Sequence, residues 1–229
     1  MRMRILCPPT WRMSINLATW ARKLKIPLAG LQPVSAIIIV GNGIPDDVVW
    51  LILGHKFDGE HVVGITKPRE ELGINSLSSI PKLIESGRTE SLIVSMDQER
   101  LTLEEVEANI KRKLRETGVE HELIEEGRRI YVFNCVYACH RFRTAIVVNG
   151  LDKPYRRHTI EDHLLEFYRE FVKRDLESLL SDVSGDPKEA WRRLKSEEEL
   201  IYNQLLRVSC DELERIFTQH VRALKLLMS

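Results

Sequence analysis

The stretch AIIIVGNGIPDDVVW, residues 36–50, decides the fold: it contains an apolar run, a glycine turn with two acids, and an amphipathic segment. An Ile/Val run without polar alternation is typical of a central parallel strand that is buried on both faces. Gly41 and Gly43 end this strand, so Asp46 and Asp47 are predicted at its carboxyl end, where ligands bind in open α/β sheets. The stretch therefore predicts strand, loop and helix, with a candidate site in the loop.

The same alternation continues along the chain. Residues 61–66 and 91–96 are further strand candidates, and helical patterns follow at 78–86 and 102–114. Strand candidates at 129–136 and 143–148 come next, and everything after residue 158 is predicted helical. This order predicts an α/β protein with a mainly parallel central sheet, helices on both faces and a helical C-terminal part. We expect an N-terminal extension (1–35), an α/β domain (36–168) and C-terminal helices (169–229).

Composition excludes several classes of protein. Of 229 residues, 43% are hydrophobic and 30% are charged, which is typical of a globular protein, and no apolar run is long enough for a membrane span. Lys+Arg and Asp+Glu are both 34, so nucleic-acid binding would need a local basic patch. Four scattered cysteines predict a reducing, cytoplasmic setting. Abundant Glu, Lys and Arg with little Gln are typical of a thermophile.

A second acidic segment, Asp97-Gln98-Glu99, directly follows the 91–96 strand. If this strand is a neighbour of strand 36–40, Asp46, Asp97 and Glu99 converge at one edge of the sheet, with Asp47 as a helper. Carboxylate oxygens at such an edge can hold Mg²⁺ for phosphoryl transfer. The alternative is that these acids complement a helix dipole and solvate loops.

These motifs resemble those of a known domain family. Asn42-Gly43-Ile44-Pro45-Asp46 resembles the Glu-Gly-x-x-Asp element of the Toprim domain of primases, topoisomerases and OLD-type nucleases, and Asp97-Gln98-Glu99 resembles its Asp-x-Asp element. Segments 79–84, 110–118 and 159–165 are similar to small Toprim-like proteins of unassigned function. The resemblance, over residues 36–168, implies a Toprim-like fold, a divalent metal and a role in nucleic-acid metabolism.

Two departures from the Toprim pattern bear on catalysis. The first acid of the family, a general acid/base, falls on Asn42, which cannot exchange a proton near neutral pH. The second element also fits in another register, with Ser95 and Asp97 as the paired positions. The alternative hypothesis is therefore a non-catalytic, degenerate module that acts through protein–protein contacts.

Basic residues interleaved with an aromatic residue follow the last strands. Such a pattern favours phosphate contact and base stacking, although solvated surface charge is the alternative. The candidate nucleic-acid-binding residues are Arg141, Arg143, Lys153, Tyr155, Arg156 and Arg157.

Two further features have competing interpretations. Cys135, Cys139 and His140 are the beginning of a zinc site or, alternatively, small residues of a strand and its turn. The C-terminal helices carry enough apolar residues for a homodimer or a protein partner, or for packing on the chain's own sheet. These residues are Leu205, Leu206, Leu213, Ile216, Val221, Leu224 and Leu227.

Overall fold

The computed structural model describes residues 4–6, 12–29, 36–57, 62–66, 73–86, 89–172 and 176–228, and Cys7 lies outside them. The strands are β1 (Arg4–Leu6), β2 (Leu28–Ala29), β3 (Ala36–Val40), β4 (Val62–Thr66), β5 (Thr89–Asp97), β6 (Glu120–Gly127), β7 (Ile130–Tyr137) and β8 (His140–Asn149). The α-helices are α1 (Arg12–Lys23), α2 (Asp46–Lys56), α3 (Ile80–Ser86), α4 (Leu103–Glu116), α5 (Ile160–Phe167), α6 (Leu176–Asp182), α7 (Pro187–Arg193), α8 (Glu198–Arg207), α9 (Cys210–Ile216) and α10 (Thr218–Met228). Two 3₁₀ segments, Gly73–Ser79 and Lys195–Glu197, and a π segment, Tyr168–Val172, complete the described elements.

The described strands form one sheet in the order β2-β1-β4-β3-β5-β8-β7-β6. Strands β1 to β5 and β8 are parallel, and β7 and β6 continue the sheet in antiparallel pairing. The prediction of an α/β protein with a mainly parallel sheet and C-terminal helices is confirmed. Strand β3 lies between β4 and β5, with Val40 opposite Val94, so the two acidic strand ends are neighbours. The order of the strands reverses between β3 and β5, and open α/β sheets bind ligands in the crevice at such a point.

Two apolar cores cover the two faces of the sheet. In β3, Ile37 and Ile39 join the core beneath α1, α2 and the C-terminal helices. Ile38 and Val40 join the second core, which the first 3₁₀ segment, α3 and α4 cover. Burial on both faces explains why the β3 sequence is apolar without alternation.

Strand β6 was missed by the sequence analysis. Its residues alternate between exposed and half-buried, and it pairs with β7 alone at the edge of the sheet. Four of its eight residues are glutamates, which strands generally disfavour, so its composition hid it. Strands β1 and β2 also join this sheet, so residue 35, where we expected an extension to end, is not a boundary of the sheet.

The C-terminal helices are shorter and more numerous than the sequence predicted. Asp186 caps α7 ahead of Pro187, and Ser209 caps α9, so the chain turns at both points. The apolar residues offered above as a partner surface pack in the chain's own core, and of them only Leu206 is partly exposed. Among the described residues, no helix is long and apolar enough to cross a membrane.

Candidate functional site

A cavity of about 340 Å³ opens at the carboxyl ends of β3 and β5. Elements from both halves of the chain enclose it: the β3–α2 loop, the end of β5, the first turn of α5 and the first turn of α7. Its lining residues are Asn42, Gly43, Ile44, Pro45, Asp46, Gly73, Asp97, Glu99, Ile160, Glu161 and Lys188. The metal-ligand candidates from the sequence, Asp46, Asp97 and Glu99, all line this one cavity.

Asp46 is the first residue of α2, and its side chain is only 1% exposed. Its Oδ2 accepts a hydrogen bond from the backbone N–H of Asn42 at 2.8 Å. Its Oδ1 accepts one from the Ser95 hydroxyl at 2.9 Å and one from Asn149 Nδ2 at 3.1 Å. Three donors therefore hold the carboxyl group in one orientation.

Asp97 ends β5 and shares a hydrogen-bond donor with Asp46. Asn149 Nδ2 lies 3.0 Å from Asp97 Oδ1, so one amide nitrogen bridges the two carboxyl groups. The first backbone N–H of α5, at Ile160, also donates to Oδ1, at 3.3 Å. Lys188 Nζ lies 3.1 Å from Asp97 Oδ2. Ser95 and Asp97 thus both contact the Asp46–Asn149 pair.

Glu161 was not among the candidates from the sequence. It sits in the first turn of α5, is 7% exposed and lines the cavity, yet among the described residues its Oε2 has no hydrogen-bond partner. A buried, unpaired carboxylate oxygen is costly and is rare in folded proteins. Its presence at a cavity marks a place where a cation or a donor would be stabilised.

Burial and mutual repulsion shift the ionisation of these acids. Burial, with the charges of Asp47 and Asp97, raises the pKa of Asp46 to about 8, despite the opposing hydrogen bonds. Burial, with the charge of Asp97, raises the pKa of Glu161 to about 7. Burial also raises the pKa of Asp97, although Lys188 and Asn149 offset part of this shift. Shifts of this kind concentrate at functional sites.

Glu99 faces the C-terminal helices. Its side chain forms an ion pair with Lys188 and lies 3.8 Å from Arg157 Nη1. Its backbone exchanges two hydrogen bonds with His158, each at 2.8 Å, with Glu99 in the left-handed region at φ 57°. Burial alone would lower the pKa of Lys188, but the carboxylates of Asp97 and Glu99 outweigh it and raise that pKa.

Asn42 and Asp47 hold the β3–α2 loop in shape. The Asn42 side-chain oxygen accepts a hydrogen bond from the backbone N–H of Gly73 at 3.1 Å, which ties the loop to the first 3₁₀ segment. Asp47 Oδ1 accepts from the N–H of Gly43 at 3.3 Å. A Cβ at Gly41 would lie 1.9 Å from that same Asp47 oxygen, so only glycine fits there.

The basic candidates do not form one patch. Arg143 lies opposite Ser91 and Asp97 lies opposite Asn149, so along β8 Arg143 is about 20 Å and Arg141 about 26 Å from the cavity end. Arg143 Nη1 donates to the carbonyl of Leu226 in α10. The remaining candidates lie in the loop that follows β8, beside the cavity.

Within that loop the basic side chains differ in their partners. Arg157 pairs with Asp186 at 2.6 Å, and Lys153 lies 3.7 Å from Glu166. Tyr155 is half-buried, and burial raises its pKa to about 12. Arg156 is exposed to solvent. Arg156 is therefore the residue of this loop best placed to contact a phosphate.

The cysteine segment does not converge on a metal. Cys135 is buried in β7, where burial raises the pKa of its thiol to about 11, whereas Cys139 is exposed on the β7–β8 turn. Across the described residues, no three His, Cys, Asp or Glu side chains already stand close enough together to hold a metal ion. For Mg²⁺ this is an ordinary arrangement, since one or two carboxylates plus waters and a substrate phosphate hold it.

Fold and cavity together define the class: an α/β protein with a cavity, lined by acids, at the carboxyl end of a mainly parallel sheet. Comparison of the chain with protein-family models, with curated proteins and with solved structures found no match. The Toprim resemblance accordingly stays a prediction from the motifs.

Proposed function

We propose that the acidic cavity binds a divalent cation, Mg²⁺ by its ligand chemistry, and that the protein acts on phosphate groups of nucleic acid, as the Toprim resemblance implies. One observation carries this proposal: the buried, unpaired carboxylate oxygen of Glu161 in a cavity that Asp46 and Asp97 also line. The lining residues carry four carboxyl groups and one cationic side chain, Lys188, so the cavity favours additional positive charge.

Different residues of the chain would have different roles in this function. When bound, Mg²⁺ would neutralise charge that develops on a transferring phosphate. Asp97, with Asp46 or Glu161, would supply its oxygen ligands, waters and the phosphate would complete its shell, and Glu99 would lie at the rim. Lys188, beside Asp97, would offer a flexible point charge to a phosphate oxygen. Arg156, in the neighbouring loop, would contact the backbone of a longer strand.

Calorimetry tests the cation site. Mn²⁺ or Mg²⁺ titrated into the protein is expected to bind, and Asp97→Asn is expected to weaken binding at least about 100-fold, since it removes a direct ligand. Asp182→Asn is the matched control, because Asp182 is exposed and pairs with Arg193 away from the cavity. A wild-type protein that gives no binding heat with either ion would contradict the proposal.

Nucleic-acid binding is tested separately. Labelled single- and double-stranded DNA and RNA are expected to bind with an affinity that falls as salt rises. Arg156→Ala is expected to reduce the salt slope by about one, as for one lost phosphate contact, and Arg141→Ala is expected to leave it unchanged. Equal effects of the two substitutions would place the nucleic acid elsewhere on the protein.

A second candidate function is a non-catalytic module in which Lys188 is the permanent counter-ion. Asn42 at the proton-transfer position favours it, because its side chain holds the Gly73 backbone. Lys188→Met distinguishes the two candidates. In a cation site Mn²⁺ is expected to raise the melting temperature of this variant, whereas in a module the variant is destabilised and Mn²⁺ has no effect.

A further inference from the structure

The side-chain amide of Asn149 has a fixed orientation. Its Nδ2 lies 3.1 Å from Asp46 Oδ1 and 3.0 Å from Asp97 Oδ1, and these carboxyl oxygens act as acceptors. The amide must therefore turn its NH₂ group toward the acids. Its Oδ1 then faces the opposite way, into the core beneath the sheet.

His220 of α10 meets that amide oxygen. The His220 ring is fully buried, and its Nε2 lies 2.9 Å from Asn149 Oδ1. Because an amide oxygen accepts only, Nε2 must carry the hydrogen. Burial lowers the pKa of His220 well below its usual value, so the ring is neutral and Nδ1 carries no hydrogen. Nδ1 has no hydrogen-bond partner among the described residues, so the ring makes this one hydrogen bond.

We propose that His220 is a positioning residue of the acidic site: by donating to Asn149 it keeps the amide turned toward Asp46 and Asp97 and so holds the two carboxyl groups together. The C-terminal helix would thereby set the cation affinity of a cavity formed mostly by other elements. This inference rests on the proposed function, since it concerns the affinity of that cation site.

The reverse orientation of the amide shows why a donor is needed at this position. A flipped Asn149 would bring its oxygen against two carboxyl oxygens, and its NH₂ would face the donor N–H of His220. Without His220 the amide oxygen would lose its closest donor in a dry environment, which is costly, because its other neighbour, Ser95 Oγ at 3.5 Å, already donates to Asp46. Loss of a polar group that orients the ligands of a metal site typically weakens metal affinity about 10- to 100-fold.

Helix α10 is rigid enough for this role. Val221, Leu224 and Leu227 are buried against the sheet, and the ring centroids of Trp50 and His220 are 4.9 Å apart. This packing holds the ring with its Nε2 toward Asn149 at the end of β8.

Mn²⁺ titration of the full chain tests the inference with three variants. His220→Phe is expected to weaken Mn²⁺ binding about 10-fold or more. His220→Gln is expected to bind within about threefold of the wild type, because its amide nitrogen can donate from the place of Nε2. His163→Phe is the matched control: it also removes a buried imidazole, but one bonded to Ile216 and Gly150 and not to Asn149. A general packing defect would weaken His220→Phe and His163→Phe alike, which would overturn the inference.

A measurement without metal separates this inference from the proposed function. The Asn149 side-chain NH₂ protons are expected to exchange slowly with solvent in the wild type and in His163→Phe, and at least about tenfold faster in His220→Phe. Unchanged exchange in His220→Phe would overturn the role of His220. A wild type that binds no Mn²⁺ would overturn the proposed function, and the exchange rates would still decide how Asn149 is held.

Discussion

Two buried groups of titratable side chains lie on opposite sides of Asn149, and burial shifts their pKa values in opposite directions. On the cavity side, burial raises the pKa of Asp46 to about 8 and that of Glu161 to about 7. On the core side, burial lowers the pKa of His163 to about 4 and lowers that of His220 well below its usual value. In both groups the low dielectric disfavours the charged form.

The two groups differ in whether their neutral forms have all their hydrogen-bond partners. His163 is satisfied as a neutral ring: Nδ1 donates to the carbonyl of Ile216 at 2.7 Å, and Nε2 accepts from Gly150 and Gln219. A neutral imidazole with its bonds made is a stable part of the core. By contrast, Glu161 Oε2 has no hydrogen-bond partner among the described residues. Asp46, with a pKa of about 8, is neutral near pH 7 only because it holds a proton. Burial of titratable side chains alone therefore does not indicate a binding site. Burial of carboxyl groups that lack a neutralising positive charge does.

The largest expected effect is on the alkaline side of the stability curve. The raised pKa of Asp46 means that the folded protein holds this proton more tightly than the unfolded chain, so its contribution is full below about pH 4 and is lost as pH rises through about 8. From pH 4 to 9 this amounts to roughly 5 kcal/mol in the free energy of unfolding.

Asp46→Asn is expected to remove this loss, which urea unfolding without divalent ions at pH 5, 7 and 9 would measure. Asp182→Asn, at an exposed position, is the control and should follow the wild type. Parallel pH profiles for Asp46→Asn and the wild type would show that Asp46 ionises freely in the folded protein.

The second effect has the opposite sign and appears at acidic pH. Because the pKa of His163 is depressed to about 4, the unfolded chain binds a proton between pH 6.5 and 4 that the folded protein does not. Stability is therefore lost as pH falls through this window, by about 3 kcal/mol for this residue. His163→Gln is expected to shrink the difference in unfolding free energy between pH 6.5 and 4 by that amount. An unchanged difference would mean that His163 is protonated in the fold.

The sequence predicted the acidic side of this comparison in part. Asp46 and Asp97 follow apolar runs, and parallel neighbours place their carboxyl ends at one edge, so local patterns suffice to bring them together. Glu161 and Lys188 come from helices whose position depends on how the C-terminal part packs, and no periodicity encodes that. A weak signal did exist for Glu161, since Thr159 and Asp162 mark a helix start directly after the last strand.

The imidazole side could not be predicted from the sequence. His163 and His220 are 57 positions apart and meet only because α5 and α10 pack on one face of the sheet, where their ring centroids are 5.1 Å apart. Asn149 directly follows the 143–148 strand candidate, and no local pattern there predicts a bridging role. Its bridging role depends on the order of strands in the sheet. Strand β8 pairs with β5 as well as with β7, its neighbour in sequence, and sequence order alone does not reveal the pairing with β5.

The smallest expected effect concerns Glu161, and it tests the comparison most directly. Glu161→Gln keeps the shape of the side chain but removes the charge. Cation affinity is expected to fall about 10- to 100-fold, less than for Asp97→Asn, because Mg²⁺ replaces a lost ligand with water. The same variant is expected to be more stable than the wild type without metal above about pH 7, where Glu161 would otherwise ionise. If the variant is less stable than the wild type under those conditions, Glu161 stabilises the fold, as the buried imidazoles do, and is not a cation ligand.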